Sequence, residues 1–397
     1  MSAPPGQSAW QDGDRLARLA LSRVVEPGSW PVYEAVRAQG AERVWAALEQ
    51  GRRVAELSAA LVQGASARAE GYDPAADAAR LAACGGRLLK PGDEEWPEQR
   101  LHWARGAPQL AAPPLALHVR GPRPLAEVVE SSVALVGARA ATAYGEHVAS
   151  ELALGLTDQG ITVASGGAYG IDAAAHRAAL SGGRAPTLAV LACGVDVAYP
   201  RGNERLLAAV ADRGLLVSEH PPGASPTRAR FLVRNRLIAA LTCGTVVVEA
   251  ALRSGSLSTA GRARELARHV MAVPGPVTSG MSAGCHALLR GQHDEPPAEL
   301  VTRTADVLAL VGRLGDQGAE QRGPERPRDA LPELVRQVLE AVPVRGGAGE
   351  AGIAREAGVP VLVVQQVLPP LLVAGLVQRC ETGWRLTALG AGRPGHG

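Results

Sequence analysis

Between residue 75 and about residue 312 the chain alternates short, unbroken apolar runs with stretches whose apolar positions recur at helical spacing. The runs fall at 133–136, 161–164, 187–191, 215–218, 245–248 and 270–273. They are rich in Val, Leu and Ile and lack a polar alternation, which predicts strands buried on both faces in a parallel sheet covered by helices. Residues 87–89 and 115–119 read as extra strands of the same domain. The fold class is therefore α/β. In such sheets ligands bind beyond the carboxyl ends of the strands.

The flanks follow other rhythms. Leu16, Leu19, Ala20 and Val24 recur at helical spacing until Pro27-Gly28 breaks the pattern; Val32, Tyr33 and Val36 lead to Gly40, and Val44, Trp45 and Leu48 to Gly51. This predicts a small helical domain over residues 1–66, running out into a polar, small-residue linker at 63–71. The sheet domain is placed at 73–312. A Gly- and Pro-interrupted polar linker follows at 313–329. Residues 330–390 read as three helices and a hairpin, the pattern of a winged helix-turn-helix. Its third helix starts near Val361 and is expected to be interrupted at Pro369-Pro370. Val361 to Leu368 is apolar and uncharged, unlike the polar, basic start of a duplex-reading helix.

Composition narrows the partners. The 397 residues carry a formal charge of only +2, so an anionic partner must be held by a local patch. Cys84, Cys193, Cys243, Cys285 and Cys380 are scattered without a Cys-x-x-Cys pair, and the histidines form no His-x-x-x-His pair. Neither a disulfide framework nor a metal site is expected. No stretch has the pattern of a signal peptide or the length of a membrane span, so a cytoplasmic protein without a membrane partner is expected. Lys90 is the only lysine and Phe231 the only phenylalanine.

Two of the runs end in glycine-rich turns that open helices. The first is Gly137-Ala138-Arg139, with Thr142, Tyr144 and Gly145 behind it; the second is Ser165-Gly166-Gly167-Ala168-Tyr169-Gly170-Ile171-Asp172. A strand that turns tightly into a helix presents backbone N–H groups to phosphate, and glycine allows close approach. Arg139 adds a planar fork of donors. A dinucleotide is disfavoured, because the Gly-x-Gly-x-x-Gly spacing and the acid ending the second strand are both missing. No enzymatic cofactor is expected.

A second signal is Arg228-Ala229-Arg230-Phe231-Leu232-Val233-Arg234-Asn235-Arg236. Arginine forks suit phosphate oxygens, and Phe231 is either a stacking platform for a base or an ordinary core anchor. Tyr199-Pro200-Arg201-Gly202-Asn203 places Arg201 at the mouth of the same face, or in an incidental turn. After the fifth run, Arg253-Ser254-Gly255-Ser256-Leu257-Ser258-Thr259 offers hydroxyls that bind phosphate or cap a helix. Asp172 and Glu249 stand near strand ends, where an acid or base is conceivable. For Asp172 we favour a structural role at a helix N-terminus.

Together these residues resemble the DprA/Smf family, the DNA-processing proteins of bacterial transformation. The motifs run in order: Pro91-Gly92-Asp93 with Trp96-Pro97, Gly137 to Gly145, Ser165-Gly166 to Ile171-Asp172, Tyr199-Pro200 with Asn203, Ser218-Glu219, Phe231 with Arg234-Asn235-Arg236, Ser254-Gly255-Ser256 with Thr259-Ala260, and Val273-Pro274-Gly275. The resemblance implies an extended Rossmann domain between a helix-hairpin-helix or SAM-like N-terminal domain and a winged-helix C-terminal one. It implies binding of single-stranded DNA without catalysis, a homodimer through the Rossmann domain, loading of RecA, and contact with single-strand-binding protein. The family's DNA-contacting arginine matches Arg139, and a basic contact after Tyr-Pro matches Arg201. Two positions depart: Phe-Pro is Phe231-Leu232 here, and Gly-x-Asn is Gly284-Cys285-His286. The rival class is a nucleotide phosphoribohydrolase of the lysine-decarboxylase-like type. It needs a Gly-Gly-x-Gly-Thr-x-x-Glu run, for which Cys243-Gly244-Thr245 leading to Glu249 is a poor substitute. A weaker third reading is duplex regulation through the winged helix.

Overall fold

The apolar runs become the middle of one nine-stranded sheet. The computed structural model describes residues 12–106, 110–291, 295–312 and 331–390. In chain order the strands are β1 (Gly86–Leu89), β2 (Leu117–Arg120), β3 (Ser132–Val136), β4 (Thr162–Ser165), β5 (Thr187–Leu191), β6 (Leu215–Ser218), β7 (Gly244–Val247), β8 (His269–Ala272) and β9 (Glu299–Leu300). Their order across the sheet is β1-β2-β6-β5-β4-β3-β7-β8-β9. From β6 to β9 every pairing is parallel, while β1 and β2 add an antiparallel edge. Every residue of β3, β4, β5, β6 and β7 is buried, which is why these strands lack alternation. The two-residue β9 was too short for periodicity to reveal.

The helices are α1 (Gly13–Val24), α2 (Trp30–Gln39), α3 (Ala41–Glu49), α4 (Ala59–Ala69), α5 (Pro74–Ala83), α6 (Glu98–Leu101), α7 (Leu125–Glu130), α8 (Ala143–Asp158), α9 (Ile171–Ser181), α10 (Glu204–Arg213), α11 (Arg228–Ala240), α12 (Gly255–Glu265), α13 (Ala283–Arg290) and α14 (Thr304–Val311). Apolar cores fill both faces of the sheet: one gathers Leu237, Ile238, Ala260 and Ala263 of α11 and α12, the other Leu152, Leu156, Ala174 and Ala175 of α8 and α9. The polar linker expected at 63–71 is instead mostly helix. Its Ala65 and Ala69, with Val62, pack into the core of α1 to α3, so the helical module runs past residue 66. Small residues there serve close helix packing as readily as flexibility.

This module is pinned to the sheet by charge. Arg15 of α1 donates to both Asp93 carboxylate oxygens, at 2.9 and 2.8 Å, and Arg23 pairs with the buried Asp77 of α5 at 2.7 Å. Lys90 lies 3.3 Å from Asp12 and 4.0 Å from Asp93, with only 18 % of its side chain exposed.

The chain divides into two compact units, 1–318 and 319–397. The linker expected at 313–329 lies outside the described residues. In the second unit α15 (Glu333–Glu340), α16 (Glu350–Ala357) and α17 (Val361–Val373) surround Val338, Ile353, Val364, Leu368 and Trp384, and β10 (Val377–Cys380) pairs antiparallel with β11 (Gly383–Leu386). The break expected at Pro369-Pro370 does not occur: α17 runs through both prolines. The carbonyls four residues back belong to Gln365 and Gln366. These residues lie on the exposed face, so water satisfies what the missing N–H groups cannot. Among the described residues no single helix is long and apolar enough to cross a membrane.

Candidate functional site

From β3 the chain winds outward through β4 and β5 to β6, then returns to β7 beside β3 and proceeds to β8. The reversal leaves a crevice beyond the carboxyl ends of β3 and β7, where doubly wound sheets bind ligands. A cleft of about 710 Å³ opens there. Its walls are Gly137 and Arg139 after β3, the first two turns of α11 and the start of α12 from Arg253 to Thr259, with Tyr199 at the edge.

One aromatic group organises the cations. The Arg139 guanidinium carbon lies 4.9 Å and that of Arg234 5.8 Å from the centroid of the Phe231 ring. The Tyr199 ring stands 5.7 Å from Phe231, tilted by 45°. Phe231 is thus half-buried, held by two arginines and presented to the cleft. Arg139, Arg201, Arg228 and Arg253 are exposed, and no carboxylate among the described residues pairs with them. Unpaired guanidinium groups beside aromatic rings suit a chain of phosphates and bases. Arg228 and Arg253 were not among the expected contacts. Their signal was present: Arg228 is the first residue of α11 and Arg253 directly precedes the N-cap of α12, both at the mouth of the sheet.

Other expected contacts have different duties. The two glycine turns use amides on neighbouring carbonyls: Ala138 N–H donates to Glu249 O after β7 at 2.8 Å and Ile171 N–H to Ala138 O of the other turn at 3.2 Å. Gly170 sits at φ +69°, and any Cβ there would collide with the Ala138 carbonyl, so only glycine fits. Gly166 N–H and Ala168 N–H donate to the Asp172 carboxylate at 3.1 and 3.2 Å. These four donors are therefore engaged within the protein, and this part of the cradle expected over Gly137 to Gly145 and Ser165 to Gly170 serves packing. Gly167, at φ +71°, serves the turn. Ser165 is fully buried and donates to Leu135 O at 2.6 Å. Thr142 caps α8 and donates to Glu249 at 2.7 Å; Gly145 has no Cβ because the Glu249 carboxylate occupies that space. Glu249, only 2 % exposed and hydrogen-bonded in this way, is structural too. Tyr144 donates to Pro274 O at 2.6 Å, and a ring nitrogen of His286 meets Gly275 O at 3.0 Å, so both fix the turn after β8. Asn203 donates to Gly167 O and Ala168 O, both at 3.0 Å.

The arginine-rich helix splits by face. Arg230 turns toward Glu26 at 2.7 Å. Arg236 is 1 % exposed, pairs with Glu219 at 2.8 Å and lies 5.7 Å from the Trp103 ring, so it is an interior ion and cannot reach a backbone phosphate. Burial raises the Glu219 carboxyl above its usual range against the pull of Arg236. Arg234 lines the cleft floor at 6 % exposure; its Nη1 donates to Gly166 O at 2.9 Å and also to Val190 O. Burial lowers its pKa to about 10, opposed by Asp172, whose own carboxyl burial raises. Asn235 braces the opposite wall by donating to Gly255 O at 3.2 Å. Ser254 caps α12, and its Oγ is 2.7 Å from that of Ser256; Ser256 and Thr259 are buried at the floor. No cluster of three or more His, Cys, Asp or Glu among the described residues is placed to hold a metal ion.

The sheet order and the crevice at its reversal make this a doubly wound α/β domain of the Rossmann-like class, with arginines and aromatic rings lining the cleft at its switch point. Residues 87–312 match the family model of DNA recombination-mediator protein A, and the chain belongs to that family. It is 47 % identical over 380 residues, 94 % of each chain, to the putative DNA processing protein DprA of Mycobacterium tuberculosis. It is 42 % identical over 289 residues to the protein Smf of Escherichia coli, covering 70 % of this chain and 74 % of that one. The solved DNA processing protein A of Streptococcus pneumoniae superposes with a TM-score of 0.59 at 31 % identity, over 76 % of this chain and 98 % of that one. Members are mediators of recombination in DNA processing, not catalysts.

Proposed function

We propose that this chain is a single-stranded-DNA-binding recombination mediator that protects incoming DNA and loads RecA onto it during natural transformation. The observation that carries the reading is the convergence of three exposed arginines without a carboxylate partner among the described residues, Arg139, Arg228 and Arg253, in the switch-point cleft that the Phe231 and Tyr199 rings also line. Cations follow the backbone while the rings stack bases, which gives affinity without sequence preference. Single-strand-binding protein and a second copy of this chain, joined through the sheet domain, complete the expected partners. The second unit, read as a winged helix, offers an uncharged α17 and is assigned no share in duplex reading.

A gel shift comparing a single strand with the matching duplex should show the single strand preferred; equal binding overturns the reading. Incubation with AMP or GMP should release no base, since Glu249 is bound to Thr142; release would revive the phosphoribohydrolase class. A chain ending near residue 312 should fold and keep its single-strand affinity. Loss of affinity in that folded chain would give the second unit a role in binding. Light scattering at tens of micromolar, a working range for a weak dimer, should report a dimer, and a monomer there counts against one.

A further inference from the structure

We propose that the floor of the cleft takes a phosphomonoester, the phosphorylated end of a strand, while the exposed arginines hold the running backbone. This rests on the reading that the cleft binds single-stranded DNA. Rim and floor differ in chemistry. Arg139, Arg228 and Arg253 are exposed, whereas Val136, Asp172, Arg234, Asn235 and Ile238 are each at most 7 % exposed. The floor is rich in donors: Arg234 Nε is buried there without a partner, although Nη1 of the same group is committed to two carbonyls. The N-terminus of α12, eleven residues long, opens beside it with the hydroxyls of Ser254, Ser256, Ser258 and Thr259. Gly255 adds open space, since a Cβ there would meet nothing within 4 Å.

The one acid at this floor, Asp172, already accepts from the Gly166 and Ala168 amides, so it offers a base edge little. A buried, donor-rich floor suits a group with more charge and fewer substituents than an internal phosphate. An internal diester carries one charge and a nucleoside on each side. A terminal monoester carries nearly two charges at neutral pH and three free acceptor oxygens. A nucleoside monophosphate presents the same group. The strand end is preferred because the arginines and rings on the rim extend the site beyond a single nucleotide.

The test uses the full chain and fluorescence anisotropy with single strands of one sequence: end-phosphorylated (each end in turn), end-hydroxyl, and circular. The phosphorylated strand should bind about tenfold tighter than the hydroxyl one, the effect of one hydrogen bond to a charged group. The circle should match the hydroxyl strand, and Ser256→Ala should bring the ratio of phosphorylated to hydroxyl affinity toward one. Equal affinities for tightly bound phosphorylated and hydroxyl strands overturn this inference and leave the single-strand reading intact. Failure of every strand to bind overturns both. AMP binding in the cleft with no gain for the phosphorylated strand assigns the floor to a free nucleotide and overturns the strand-end assignment.

Discussion

Arg139→Glu should lower single-strand affinity about tenfold or more at moderate salt and leave the melting temperature almost unchanged. Arg139 is exposed, has no carboxylate partner among the described residues, and its guanidinium carbon lies 4.9 Å from the centroid of the Phe231 ring. That contact contributes about 0.5–1 kcal/mol at an exposed site, a small share of stability. Charge reversal removes a cation from the backbone path and adds repulsion. Losing one phosphate contact should also flatten the dependence of log affinity on log salt by about 0.7 for a single strand. Phosphate is common to all sequences, so the loss should be uniform across oligonucleotides. Titrations at several salt concentrations, with calorimetry on the same protein, check both halves. Normal binding by a stable Arg139→Glu protein would remove the cleft from consideration as the strand path.

Arg236→Ala should do the opposite: it should destabilise the domain severely. Removing the guanidinium leaves Glu219 buried without its cation, and an uncompensated buried charge costs about 3–5 kcal/mol. In a domain of this size that lowers the melting temperature by about 10 °C. The paired change Arg236→Met with Glu219→Leu removes both charges and should recover most of the loss, because a well-packed apolar pair replaces a buried ion pair at little cost. Thermal melts of the single and paired variants decide the matter. A single variant that melts like the parent while losing DNA would return Arg236 to the binding surface.

The contrast between these two arginines marks what the sequence discloses. The buried strands were legible because hydrophobic runs without alternation have few alternative explanations, and α11 was legible from its position before β7. Which way Arg234 and Arg236 point was not. Their partners, Gly166 O, Val190 O and Glu219, come from the turn after β4, from β5 and from the turn after β6, which only the assembled sheet brings together. The packing duty of the glycine turns was not legible for a related reason. A strand-turn-helix with glycine is compatible with an anion, but also with two turns that must pass within van der Waals distance. The Ala138 and Ile171 amide bonds show that the second demand applies here. The linker at 63–71 failed because Ala, Gly and Ser serve helix contacts and flexible segments alike.

Lys90 has a practical consequence. Forty of the forty-one basic side chains in this protein are arginine, and the one amine is held among Asp12, Asp14 and Asp93, away from the cleft. Enzymatic acetylation therefore has no target among the side chains of the rim, and amine-reactive crosslinkers or dyes will leave the cleft untouched. The same scarcity favours covalent labelling: among the described side chains an amine-reactive dye has only Lys90 to attach to, and Lys90 lies outside the cleft lining.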